Sequence, residues 1–257
     1  MKTSTSKRLR WNVAIWLAAG LFMTSAAGMA AGPIMPDPKA EARHQPQVEE
    51  TANGIPLVNI TAPSSGGVSR NEYETFNVPD KGAILNNSYT LSKTELAGYV
   101  QGNNNMAERP AKIIVNEVTG AGSTSMDGFL EVAGNRADVV IANPNGITVN
   151  GGGFINTGKA FLTTGKPVYD GEDHLQRFDI TGGDILIEGK GLGGKETESL
   201  AILSRAVKIN AGIWAEDLHI TTGANTVDAK TLEASAIEGK GGRPAFALDT
   251  AAIGGMY

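Results

Sequence analysis

From residue 53 onward the apolar residues fall in short runs, and nearly every gap between runs holds Gly, Asn or Asp. Ile55-Pro56-Leu57-Val58-Asn59-Ile60 predicts a first strand, and Pro56, which cannot donate to a ladder, predicts that this strand lies at an edge. Residues 72–78 alternate, with Tyr73, Thr75 or Phe76 as core candidates. Ala83-Ile84-Leu85 is a short strand closed by a turn at Asn86-Asn87-Ser88. Further strands are predicted at 111–118, 129–132, 137–141 and 161–165. In the last third, the runs at 184–188, 201–203, 206–209, 213–215, 218–220 and 226–229 are only about three to five residues each. Strands this short and this closely spaced predict an all-β solenoid, in which each coil of roughly 20 or more residues stacks on the last. The repeat is not strict, so the spacing alone leaves a sandwich or barrel open. Three stretches stand apart. Residues 91–100 read as a helical turn or a strand outside the main body, and 166–177 as a polar surface excursion. Residues 31–52 carry Pro33, Pro36, Pro38 and Pro46 among charged and small residues, and read as an exposed linker with no core to bury.

The hardest turn signal is Asn143-Pro144-Asn145-Gly146, between the strand at 137–141 and the alternating Ile147-Thr148-Val149-Asn150. Pro144 presets φ near −65° for the second turn position, Asn145 and Gly146 tolerate positive φ, and Asn143 can bond its own backbone two residues on. A second asparagine turn is predicted at Asn103-Asn104-Asn105-Met106.

Composition strengthens the all-β reading: 33 glycines in 257 residues and only 6% aromatics suit many short strands and few packed helices. With no cysteine, the fold depends on burial and backbone ladders alone. Lys2, Lys7, Arg8 and Arg10 precede an apolar run from 11 to 27 and the small residues Gly28-Met29-Ala30, which predicts a secretory signal peptide over 1–30 that engages the Sec machinery. Its removal takes those four cations and no acid, leaving 18 basic against 27 acidic residues, a net charge of −9. Such a chain is not expected to bind nucleic acid through a basic face.

No catalytic constellation emerges. Gly189 and Gly194-Lys195 imitate a phosphate loop, but Glu196 stands where a hydroxyl would ligate magnesium. His174 lies among Asp170, Glu172 and Asp173, which reads as a solvated acidic loop in preference to a metal site. His44, in the linker, and His219 offer no triad or zinc spacing. Asp127, Asp138, Asp179, Asp184, Asp217 and Asp228 are scattered, unlike the carboxylate pairs of polysaccharide-cleaving solenoids. Trp214 reads as core. The expectation is a protein that is not an enzyme, with no cofactor, metal or small-molecule substrate.

The ordered segments 59–63, 76–78, 82–88 (GAILNNS), 96–103, 114–118, 129–134, 139–156, 162–167, 204–210 and 220–225 resemble the secretion domain of two-partner secretion exoproteins, of the filamentous haemagglutinin, haemolysin and contact-dependent inhibition type. Asn143-Pro144-Asn145-Gly146-Ile147 matches that family's Asn-Pro-Asn-Gly-Ile motif. Asn103-Asn104-Asn105-Met106 stands where the family has Asn-Pro-Asn-Leu, and the missing proline is expected to loosen that turn. A cysteine pair of some relatives falls here on Val149 and Gly151. The resemblance implies a right-handed parallel β-helix with extra-helical capping strands over 53–257. It implies an export-targeting role, with both asparagine motifs as candidates for secretion and partner recognition. The implied partner is a TpsB-type outer-membrane translocator with soluble periplasmic repeats, and the implied destination is the cell surface or medium, by way of the periplasm. A surface adhesin is the alternative. The chain stops in mid-pattern at Gly254-Gly255-Met256-Tyr257, as expected of a fragment or a shortened form of a longer exoprotein.

Overall fold

The computed structural model describes residues 32–107, 109–194 and 196–250. The signal-peptide prediction for 1–30 lies outside them. Three parallel sheets run the length of the fold, and the chain visits them in rotation, one strand per sheet per coil. One full turn is Ala137–Ala142 in the first sheet, Ile147–Val149 in the third, Gly152–Ile155 in the second, and Thr157–Thr163 back in the first, directly on Ala137–Ala142. This is a parallel β-helix, as the resemblance implied.

The three sheets write different patterns into the sequence for a physical reason. The third sheet has one covered face, so its strands alternate: Ile147, Val149, Ile185, Ile187, Val207 and Ile209 point inward while Thr148 and Lys208 stay at least partly exposed. The first sheet is covered on both faces and reads as continuous apolar runs. Its inner residues Ile114, Val139, Ile141, Leu162 and Ile202 join the axial core. Its outer residues Val115, Val140, Ala142, Ala201 and Leu203 pack under Phe178, Ile180 and Val227 of an external antiparallel sheet. That outer sheet comprises Lys166–Tyr169, Leu175–Ile180, Asn225–Asp228 and Ala234–Ala236, so the predicted surface excursion at 166–177 is a hairpin with an apolar underside. The second sheet is covered at one end by the hairpin Ser92–Thr94 and Gly98–Val100, which resolves the ambiguous 91–100 segment as strands outside the main body.

Residues 31–52 are not a linker. Ile34–Pro36 adds antiparallel to Val68–Phe76, and Gln47–Glu50 adds antiparallel to Pro56–Asn59. Between them a short 3-10 turn, Ala42–His44, buries His44, and Ile34 joins the axial core. The two strands close the N-terminal edges of the first two sheets, where unpaired N–H and C=O groups would otherwise face solvent. Capping of this kind works through backbone bonds, so it leaves little hydrophobic signal in the sequence. The cap also moves Pro56 from an edge to the first residue of a strand paired on both sides, a position where a missing donor is tolerated. Trp214 is not core: Ile213 takes the inward position of Ile213–Ala215, so Trp214 points outward, 37% exposed, with its ring over Gly191 and Gly212.

Candidate functional site

Asn143 to Gly146 turn the chain from the first sheet to the third. The turn closes with Gly146 N–H donating to Asn143 O at 3.1 Å. Asn143 Oδ1 accepts from Asn145 N at 2.9 Å, the local bond that an asparagine at this position can make. Its amide Nδ2 turns the other way and donates to Gly122 O at 2.9 Å and Thr124 Oγ1 at 3.0 Å, on the corner of the preceding coil. Asn145 Nδ2 donates to Gly120 O at 2.8 Å on the same corner. Toward the following coil, Asn143 N donates to Thr163 O at 2.9 Å. Gly120 and Gly122 lie between strands, so their carbonyls have no ladder partner, and the two asparagine side chains bond them; the buried member of the set is the Thr124 hydroxyl. Gly146 adopts φ +116°, and a Cβ there would stand 3.0 Å from Asp184 O, so glycine is required by both conformation and space. Ile147 completes the motif by entering the axial core.

Asn103 to Met106 serve a different corner, between the 92–100 hairpin and the strand Ile113–Val118. The two motifs are therefore not one site. Their chemistry is nevertheless the same. Met106 N donates to Asn103 O at 3.1 Å, and Asn105 N to Asn103 Oδ1 at 3.0 Å. Asn103 Nδ2 donates to Ile60 O and Asn86 O, both at 2.9 Å, and Asn105 Nδ2 to Ile60 O at 3.0 Å. Met106 is buried in the axial core, as Ile147 is. The missing proline leaves the locking bonds in place, because they come from the first and third residues; the second, Asn104 here, is exposed and its side chain makes no hydrogen bond among the described residues.

The predicted turn at Asn86-Asn87-Ser88 begins two residues later. Asn86 and Asn87 are the last, buried residues of Ala83–Asn87, and only Ser88 begins the turn. Asn87 clamps Ala111 through both amide atoms, donating to its O at 2.9 Å and accepting from its N at 2.7 Å. Asn86 Nδ2 donates to Asn59 Oδ1 at 2.8 Å and to Gln101 O at 2.9 Å. With Asn103 bonded to Asn86 O, and its N–H donating to Ser88 O, these residues and the 103–106 turn form one connected network.

Two arrangements were invisible in the sequence. Phe129, Gly153, Gly193 and Trp214 occupy one register row of the second sheet, two exposed aromatics flanking two glycines. A second group, His44, Arg70, Glu72, Glu117, Tyr169 and Asp173, gathers ionisable residues from four separate parts of the chain. Neither has a local motif; only pairing of distant strands creates them. His174, weighed above as a ligand, is bonded to Asp170 at 2.9 Å within its own loop.

The family profile described as the TPS secretion domain matches residues 33–257. The chain is 46% identical over 213 residues to the 16S rRNA endonuclease CdiA of Enterobacter cloacae, covering 82% of this chain and 6% of that protein. It is 46% identical over 226 residues to the toxin CdiA of Yersinia pestis, covering 87% of this chain and 7% of that one. The toxin CdiA of Escherichia coli is 44% identical over 212 residues, 82% of this chain and 7% of the relative. The chain thus spans less than a tenth of these relatives, and the activities in their names stay with them. The crystal structure of the filamentous hemagglutinin secretion domain superposes with a TM-score of 0.80 at 32% identity, over 88% of this chain and 76% of that one. A profile match from the first capping strand onward and a shared β-helix lead to one conclusion: the chain belongs to the TPS secretion domain family of two-partner secretion exoproteins.

Proposed function

We propose that this chain is the export-targeting module of a longer exoprotein, recognised in the periplasm by a TpsB-type outer-membrane translocator and folding at the cell surface from its N-terminal cap onward. Its family is one of secretion modules that carry no catalysis, found on secreted or surface-displayed proteins of Gram-negative bacteria. Asn143-Pro144-Asn145-Gly146-Ile147 and Asn103-Asn104-Asn105-Met106 act in this reading as folding locks that fasten each new corner to the coil below it. The observation that carries this role is the direction of the asparagine amides. Asn143 is fully buried and Asn103 is 3% exposed, and both donate to backbone carbonyls earlier in the chain. Groups so placed are not available to a partner in the folded state; they are available only while the chain is unfolded.

Order of synthesis fits this role. Each lock reaches back to residues already outside when a chain emerges N-terminus first, so a completed coil resists sliding back. Stacking then buries the apolar face of the next coil. Before export, extended segments can add to a sheet edge of a partner through backbone bonds, which need no particular asparagine. The test is to measure Asn143→Ala three ways: export from cells, unfolding of the purified domain, and binding of the urea-unfolded chain to the periplasmic repeats of the translocator. Export and stability fall together and binding is unchanged if the turn is a lock. Loss of binding with unchanged stability would make it a contact residue.

A further inference from the structure

The outer face of the first sheet is apolar along most of its length and charged at its N-terminal end. Arg70 and Glu72 project there from Val68–Phe76, and Glu117 from the adjacent Ile113–Val118, with Glu72 and Glu117 in direct register. Two carboxylates thus stand side by side on one guanidinium. Arg70 Nη2 lies 2.8 Å from Glu72 Oε1 but 3.5 Å from Glu117 Oε2. Glu72 has a second partner, His44 of the cap, whose Nδ1 is 3.1 Å away. The outer hairpin closes the group: the Tyr169 ring packs against Arg70, its centroid 4.4 Å from Cζ, while Asp173 pairs with Arg43 and stands 4.0 Å from His44 Nε2. Lys166, on the same hairpin, is the remaining cation acting on Glu117. On the other side Glu117 is in register with Ala142, which brings no charge.

Glu117 is the surplus member. Its side chain is 6% exposed, and its Oε2, the Arg70 Nε and the Tyr169 hydroxyl are buried without hydrogen-bond partners among the described residues. A second buried carboxylate beside a guanidinium already committed to another is unfavourable as an ion. We propose that Glu117 is the moving part of a proton-operated latch: neutral, it lets the cap at His44, the first coils and the 169–173 loop close over Arg70; ionised, it loosens that three-way junction.

Burial, opposed in part by Arg70, pushes the Glu117 carboxyl up to about 6 from 4.5. The folded state therefore holds this proton more tightly than the unfolded chain. Its stabilising contribution is complete below pH 4.5 and is lost as pH rises through about 6. His44 runs the opposite way. Desolvation, then Arg70, lowers it from 6.5, so it is favoured neutral, and its contribution is present above 6.5 and lost as pH falls below it. Comparing the wild type with Glu117→Gln cancels His44 and isolates the latch.

The experiment is denaturant unfolding of the purified chain at pH 5.0 and 7.5, paired with amide exchange of the 169–175 segment corrected for intrinsic rates. The wild type is expected to lose roughly tenfold in its folding equilibrium constant between these pH values relative to Glu117→Gln, from the shift to about 6. Exchange in the hairpin loop should quicken over the same range in the wild type only. Parallel pH profiles for the two proteins would overturn the latch. Should the variant not fold, the Glu117 carboxyl of the wild type is titrated by NMR beside exchange of the 169–175 segment: exchange that quickens with the carboxyl's own midpoint near 6 upholds the proposal, and a midpoint at 4.5 or exchange that ignores the titration overturns it.

Discussion

The turns at Asn143 and Asn103 differ in sequence at two of four positions and are built alike. Each closes with a 3.1 Å backbone bond, each uses its first asparagine both as a local acceptor and as a donor to earlier chain, and each plants an apolar side chain in the core, Ile147 just after the first turn and Met106 at the end of the second. They part over the left-handed residue and the proline. Positive φ falls inside the first turn, on Gly146, but after the second, on Ala107. Pro144 has its counterpart in Asn104, which opens the 3-10 turn Asn104–Met106. The lesson is that the motif is a hydrogen-bond pattern first and a list of residue types second. What it requires is asparagine at positions one and three.

That comparison can be broken by seven substitutions at four kinds of position. The largest effects belong to the first asparagines. Asn143→Ala removes the donor to the buried Thr124 hydroxyl and to Gly122 O, Asn103→Ala the donor to the buried carbonyls of Ile60 and Asn86, and both are expected to destabilise by similar amounts, about 2–4 kcal/mol, in urea unfolding. A cost at Asn103 well below that at Asn143 would mean the second turn is vestigial. Next comes the left-handed residue. Gly146→Ala is expected to cost about 1–3 kcal/mol, from backbone strain and the approach to Asp184 O, while Ala107→Gly should stabilise slightly, by about 0.5–1 kcal/mol. The third asparagines are more exposed: Asn145→Ala and Asn105→Ala should each cost only about 1 kcal/mol by the same assay. The smallest effect sharpens the likeness. Asn104→Pro restores the family residue at the first position of a 3-10 turn, behind Asn103 at φ −81°, ψ 118°, a conformation that suits a residue before proline. It should raise the unfolding midpoint by an amount equivalent to about 0.5–1 kcal/mol. A loss of stability would show that the two turns differ in backbone as well as in sequence.

Legibility in the sequence followed the range of the interaction. Turns were readable because their chemistry is local: Asn143 bonds Asn145, and Gly146 needs its own φ. Strand patterns were readable where one face is wet, as at Ile147-Thr148-Val149, and gave position without partner where both faces are dry, as at Ile113 to Val115. Residues 33–50 read as a linker because pairing by backbone leaves no compositional trace, and prolines at Pro33, Pro36, Pro38 and Pro46 outweigh the core contacts of Ile34 and Val48. Trp214 was misread because its face depends on which of Ile213 and Trp214 points inward, a parity that a three-residue strand does not reveal.

By itself the sequence determined an all-β fold of short strands, the junctions between them and the two asparagine motifs, because turn chemistry and strand alternation are local; the family resemblance, not the spacing, pointed to a β-helix over a sandwich or barrel. Only the tertiary structure decided what the asparagine amides reach, which strands cap the open edge, and that Glu117 joins Glu72 and Arg70 in one cluster with His44 and Tyr169. The reason is that stacking sets residues from successive coils side by side. A carboxylate is an ordinary polar residue along the chain; it becomes a buried, surplus charge only when another coil brings a second carboxylate to the same guanidinium.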